Sequence, residues 1–216
     1  MRNSRLLSLG ELLLGVCIVI AHNVYRIIPN EVPILFVLGL LSSRLREGSF
    51  CAFGFGRPSS WLRVILIAII AAALRLVLGD VLIDPVTAHF WPPAIAPSGI
   101  HEIKMNWQVA LKWFGIVWTF AAVGEEFSYR GYLFKRASDV FGNTKIADIA
   151  ALIVTSVLFG FGHFYKGPSG MIDSGFAGLI LGIAYLLNRK NLWANIISHG
   201  LMDSVGVVAL FFGWLS

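Results

Sequence analysis

Glu125 and Glu126 stand side by side in AAVGEEFSYRGYLF (residues 121–134), after an almost wholly apolar run from Trp113 to Val123. Arg130 follows Glu126 by four positions, and residues four apart share a helix face. Arg130 can therefore hold Glu126 ionised and fixed. Glu125 is offset by about 100° on an α-helix and faces elsewhere. One carboxylate is then structural and the other is free for proton work. A general base working near neutral pH needs that kind of tuning by burial and by neighbouring charge. Two further pairs repeat the spacing. In FGFGHF, Phe159 and His163 are four apart, with Gly160 and Gly162 between them. Glycines in membrane helices let neighbouring backbones approach closely. In ANIISHGLMDSVG, His199 and Asp203 are again four apart, and Asn195 lies four before His199. A carboxylate at that spacing can fix a histidine's tautomer or serve as a second ligand. Taken singly, His163 reads as an interfacial histidine near a helix end, and His199–Asp203 as a polar pair satisfying itself inside a bundle. Together, two glutamates, an arginine, two histidines and an aspartate on three helices are the groups from which a bundle builds a buried site.

The elements that must position them follow from composition. Of 216 residues, 57% are hydrophobic and only 13% are charged. That charged fraction is about half of what a soluble domain carries. Several apolar stretches approach the roughly 20 residues a helix needs to cross a bilayer. They are apolar all round, whereas the strands of a membrane barrel alternate. The expected fold is all-α: a polytopic integral membrane helical bundle of about seven transmembrane helices. The spans are placed at Leu6–Ile27, Val32–Ser43, Trp61–Ile83, Trp107 to about Ala137, Ile146–Phe164, Met171–Leu187 and Leu192–Leu215. Between them lie a polar loop from Arg44 to Ser60 and a connection from Asp84 to Met105 with Pro85, Pro92, Pro93 and Pro97. The chain reads as one structural domain, with helices and the Pro-rich loop in 1–106 and the chemical constellation in 107–216. The N-terminal stretch has a signal-peptide flavour. It carries Glu11 and no convincing cleavage site, so it reads as a retained helix.

Lys and Arg alternate between loops. Arg2, Arg5, Arg44, Arg46, Arg57, Lys135, Arg136, Lys145, Arg189 and Lys190 flank one set, while Lys104 and Lys166 are sparse in the other. By the positive-inside rule the N-terminus is cytoplasmic and the C-terminus outside. The net charge of +5 fits cytoplasmic loops and lipid headgroups, and no basic cluster with interleaved aromatics points to nucleic acid. Tryptophans 61, 91, 107, 193 and 214 sit near span ends as interfacial anchors. Cys17 and Cys51 form neither a disulfide framework nor a CxxC site. Depth singles out the glutamates. Phe127, Tyr129, Tyr132, Leu133 and Phe134 continue the apolar helix beyond them, and the basic stop comes only at Lys135-Arg136. Glu125 is therefore about 15 Å from that stop, near mid-depth in a core of roughly 30 Å. A buried ionisable group there is a functional candidate. His163, counted from Lys145, lies roughly 27 Å deep. The two depths require tilt, a deeper helix start or a wide water-filled cavity.

The three motifs in this order, Glu125-Glu126-x-x-x-Arg130, Phe159-x-x-x-His163 and His199-x-x-x-Asp203, resemble the CPBP family of intramembrane proteases. That family includes the type II CAAX prenyl endopeptidases and bacteriocin-processing relatives, and is also called the Abi family. The resemblance covers about residues 107–206, and the first hundred match only as generic apolar helices. It implies that Glu125 activates water, that Glu126 and Arg130 support it, and that His163 acts with Glu125. It also implies that His199 and Asp203 stabilise the oxyanion, with Asp203 standing where some members have Asn. The family has been described both as metal-dependent and as metal-free glutamate proteases. If a divalent metal such as zinc is present, Glu125, His163 and His199 are its candidate ligands. The implied partners are membrane lipids and a peptide or membrane-protein substrate, and the implied location is a bacterial inner (plasma) membrane. Nothing in the chain reads a prenyl group in a recognisable way. No serine is flanked as a nucleophile elbow and no Gly-rich phosphate loop is present. His101-Glu102 fails as HExxH because position 105 is Met. Two other classes compete: a non-catalytic immunity or scaffold protein, and a proton-coupled transporter. Buried Glu and His also build proton relays, but the chain shows no internal repeat of the kind many transporters carry.

Overall fold

The computed structural model describes residues 4–96 and 99–214, so Arg2, Pro97 and Leu215 lie outside the described residues. Seven helical rods carry the fold among those residues. They are α1 (Arg5–Asn23), α2 (Glu31–Ser42, continued by Ser43–Glu47), α3 (Trp61–Phe90), α4 (107–141), α5 (Lys145–Phe161), α6 (Phe164–Leu187) and α7 (Trp193–Phe212). No strand occurs among the described residues. The protein is an all-α integral membrane bundle, and α1, α3, α6 and α7 are long and apolar enough to cross a membrane. Outward-facing Leu62, Ile70, Val77, Ile146 and Leu187 are more than half exposed, as a lipid-facing surface requires.

The helix starts follow ordinary capping chemistry. Ser4, Asn30, Ser60, Asn106 and Thr144 each accept a hydrogen bond from a backbone N–H of the first turn. Several expected boundaries shift: α1 ends at Asn23 rather than Ile27, and α6 starts at Phe164 rather than Met171. α2 runs on to Glu47, into what reads as a polar loop. α3 continues through Asp84–Phe90, and Pro85 is accommodated inside the rod just after a wide i→i+5 turn over Gly79–Ile83. α4 ends at Phe141, where Gly142 takes a left-handed conformation (φ 103°).

Lys135-Arg136 is consequently no interfacial stop. Arg136 is fully buried. Its guanidinium donates to Glu11 (2.9 Å), Glu47 (3.1 Å), Asp139 (2.7 Å) and Ser42 Oγ (2.8 Å), and lies over the Phe53 ring. Arg46 donates to the other oxygen of Glu11 (2.8 Å) and to Ser8 (2.9 Å). This network ties α1, α2 and α4 together at one end of the bundle. Among the described residues Lys135 pairs with Asp139, from a partly exposed position. Arg136→Met strips several buried carboxylates of a partner and is expected to cost about 3–5 kcal/mol. Lys135→Ala is expected to cost less than about 1 kcal/mol. Unfolding midpoints of both variants in detergent check the contrast.

α5 and α6 pack through small residues. A Cβ on Gly160 would stand 2.7 Å from the Met171 carbonyl oxygen and 3.4 Å from the Gly175 backbone, while Gly178 lies against Ser156 and Phe159. Such close approach gives membrane helices their dispersion contact. Gly160→Val pushes the pair apart at a point where the neighbour is backbone and cannot rotate away. It is expected to lose about 1–3 kcal/mol of stability, read as a lowered unfolding midpoint.

Candidate active site

The centre of α4 is wound unusually. Val117–Leu133, 17 residues, carries i→i+5 hydrogen bonds, as in Phe134 N–H to Tyr129 O. Such winding is met mostly as single-turn bulges, often at functional sites. A wider turn brings sequence neighbours closer in azimuth than the 100° of an α-helix, and Glu125 and Glu126 both face inward. They do so toward different partners, as their spacing predicts.

Glu126 is fully buried and fully engaged. Its Oε1 accepts from Arg130 (2.9 Å) and from His199 Nδ1 (2.7 Å), and its Oε2 accepts from Asn195 (3.2 Å). Arg130 is 2% exposed; it also donates to the Gly178 carbonyl (3.3 Å) and lies 4.3 Å over the ring of Phe159. Asn195 donates in addition to the Leu181 carbonyl (2.6 Å). One carboxylate thus locks α4, α6 and α7 together. The sequence assigned His199 an aspartate partner. The structure gives its Nδ1 to Glu126 and leaves its Nε2 3.6 Å from Asp203, longer than a hydrogen bond.

Glu125 is the opposite case. Its Oε2 is buried and has no hydrogen-bond partner among the described residues. It lines a partly open cavity of about 540 Å³, whose wall also holds His163, His199 and Asp203. His163 Nδ1 lies 2.9 Å from the Phe159 carbonyl oxygen. A carbonyl only accepts, so Nδ1 carries the proton and Nε2 of the neutral ring keeps its lone pair. Phe159 is the shared support: it touches the His163, His199 and Tyr129 rings as well as Arg130.

The depth mismatch disappears once α4 is seen to end at Phe141. Glu125 lies about 17 residues before the Gly142–Thr144 corner and His163 about 19 after it, so the two are nearly level at helical rise. Counting from Lys135 made Glu125 look too shallow. All six residues singled out by spacing are therefore at or beside one cavity, with Arg130 and Glu126 behind its wall.

The sequence missed what the first three helices contribute. Glu31 is 5% exposed and accepts from Asn23 Nδ2 (3.0 Å) and Tyr129 Oη (3.4 Å); His22 Nε2 lies 3.3 Å from its other oxygen. Arg75 donates to both oxygens of Asp173 at 2.6 Å on the opposite wall. Tyr129 has room beside Glu31 because position 162 is glycine, where a Cβ would come within 2.5 Å of its hydroxyl. A signal was available for two of these: Arg75 and Asp173 are ionisable residues inside otherwise apolar spans, the same mark that singles out Glu125. Glu31 falls in the break expected between the first two spans, and in the structure it opens α2.

The donor set does not fit a metal in this arrangement. No three His, Cys, Asp or Glu side chains among the described residues converge as metal ligands, although the Nδ1 bond of each site histidine leaves its Nε2 on the cavity side. The chemistry of the cavity is considered below without one.

The described residues thus form a helical membrane bundle with an unpartnered carboxylate and two histidines on one internal cavity. Residues 107–205 match the family model described as type II CAAX prenyl endopeptidase Rce1-like, so the helices that carry the site are similar to that family. No curated protein and no solved structure matches the chain.

Proposed function

We propose that the cavity hydrolyses peptide bonds of membrane-associated polypeptides with a water activated by Glu125. The observation that carries this reading is the buried, unpartnered Oε2 of Glu125 in the same cavity as His163 and His199. A carboxylate held out of water with no donor of its own is ready to accept a proton from a bound water. The hydroxide oxygen attacks the scissile carbonyl carbon. His199 has Glu126 on one ring nitrogen and Asp203 beside the other, so it can carry both protons and donate from Nε2 to the developing oxyanion. A donor in that role is commonly worth about 3–4 kcal/mol. The C–N bond breaks as the leaving amine takes the proton held by Glu125. His163 Nε2, with its lone pair facing the cavity, orients the water beside Glu125. Glu126 and Arg130 do no proton transfer in this scheme. They hold His199 and Asn195 in place, and the three groups that bond to Glu126 (Arg130, His199 and Asn195) fix its carboxylate.

The test is cleavage of a membrane-peptide library by the purified, detergent-solubilised protein, comparing wild type with Glu125→Gln, each with and without a chelator. The reading expects cleavage that survives chelator and vanishes in Glu125→Gln. Cleavage retained in Glu125→Gln overturns the assignment of the base. Cleavage lost under chelator overturns the metal-free scheme.

A further inference from the structure

The bundle has two chemically different ends. At one end Arg5 lies against the Gly142 corner, and Arg46 and Arg136 share Glu11. Lys190 pairs with Asp148 (2.7 Å) near the start of α5, and the 188–192 turn bonds to the 48–60 loop through Leu192 N–H to Gly54 O (3.0 Å). Arg44, Arg57, Lys145 and Arg189 belong to the same segments. The other end is formed by the α1–α2 turn, the 91–106 connection, the α5–α6 turn and the C-terminal end of α7. It carries Arg26, Lys104, Lys112 and Lys166, dispersed over separate segments.

The cavity belongs wholly to the second end. Its wall is drawn from the last turn of α1 and the first of α2 (His22, Glu31), the later part of α3 (Arg75), the first part of α4, the α5–α6 turn (Lys166) and the later part of α7 (Leu210). Toward the basic end it is stopped by the main core. Phe53, Phe127, Tyr132, Leu133, Phe134 and Leu192 there are each at most 1% exposed, with the buried Arg136 network behind them.

Lys and Arg collect on the cytoplasmic side of helical membrane proteins. We infer that the catalytic cavity opens on the face away from the cytoplasm, and that its substrates are membrane polypeptides presented from that face rather than cytoplasmic C-terminal tails. The sidedness stands on charge and packing alone, while the substrate class rests also on the proteolytic reading.

The protein supplies its own reference thiol. Cys51 is exposed in the basic-end loop, and Cys17 is removed as Cys17→Ser. In that background His101→Cys, exposed beside the cavity rim, and Tyr165→Cys, in the cavity wall, are each treated in intact cells with a membrane-impermeant maleimide. The expected result is labelling of both added cysteines in intact cells, with Cys51 labelled only after permeabilisation. Labelling of Cys51 in intact cells, with His101→Cys and Tyr165→Cys protected until permeabilisation, overturns the inference. Two co-expressed single-span reporters, one with its tail outside and one with its tail inside, then test the substrate class against the Glu125→Gln control. Cleavage of the outward tail alone supports it, and cleavage of the inward tail refutes it. If neither is cut while the thiol pattern holds, the sidedness stands and the proteolytic reading is what fails.

Discussion

Glu125→Gln is expected to lower peptide hydrolysis by about 10²–10⁴-fold, the range a positioned general base contributes, while the protein folds as before. The two outcomes separate because of how Glu125 is held. Its Oε2 accepts no hydrogen bond, so no network loses an acceptor when the carboxylate becomes an amide. Gln keeps the shape and removes only the basicity. A single-turnover assay at saturating substrate reads the chemical step, and an unfolding curve in the same detergent reads the fold. A midpoint close to wild type, together with a collapsed rate, is the expected pair. A parallel collapse of both would make Glu125 a structural residue and shift the search for a base to His163.

The second large effect is on stability. Arg130→Met is expected to cost about 3–5 kcal/mol, because it leaves the buried Glu126 carboxylate without its cation. The double variant Arg130→Met with Glu126→Gln is expected to recover much of that loss. An apolar and a neutral side chain in place of a buried ion pair are often tolerated, whereas half a pair is not. Recovery of stability should not bring recovery of activity, since Glu126 also fixes the tautomer of His199 through Nδ1 (2.7 Å). Unfolding midpoints of the three variants and their hydrolysis rates complete the cycle. Additive losses without recovery would show that Arg130 stabilises chiefly by lying on Phe159 rather than by neutralising Glu126.

The three motif pairs were legible from the chain because each closes within one helical turn, where sequence spacing and spatial neighbourhood coincide. The helical class and the number of rods were legible for a related reason: apolar length is a property of a segment alone. The Glu126–His199 bond was not, since it joins α4 to α7 and depends on how the rods are rotated. The same holds for Glu31, which meets Tyr129 only because α2 packs on the middle of α4. The burial of Arg136 was hidden by its neighbour. Lys135-Arg136 looks like a basic pair facing headgroups, yet only Lys135 behaves so, because Glu11, Glu47 and Asp139 come to Arg136 from three segments. The wide winding of 117–133 has no compositional mark at all, since its residues would suit an α-helix.

That winding makes the reading frame of α4 part of its chemistry. Each i→i+5 turn holds more residues than an α-turn, so the segment stores surplus chain length between the apolar outer part of α4 and the glutamate pair. Loss of one residue from the stretch before Glu125 could be absorbed by relaxing a turn to i→i+4 bonding, with little change in helix length. A deletion that no turn absorbs would instead rotate every side chain beyond it about the axis, and Glu125 would exchange the cavity for a neighbouring helix. A gain or loss of single residues here is therefore expected to be far more damaging than a substitution at the same place. Working sequences should hold the length of 117–124 constant and vary in residue type at its outward positions, such as Thr119 and Phe120, rather than at the buried Val117, Ala122 and Gly124.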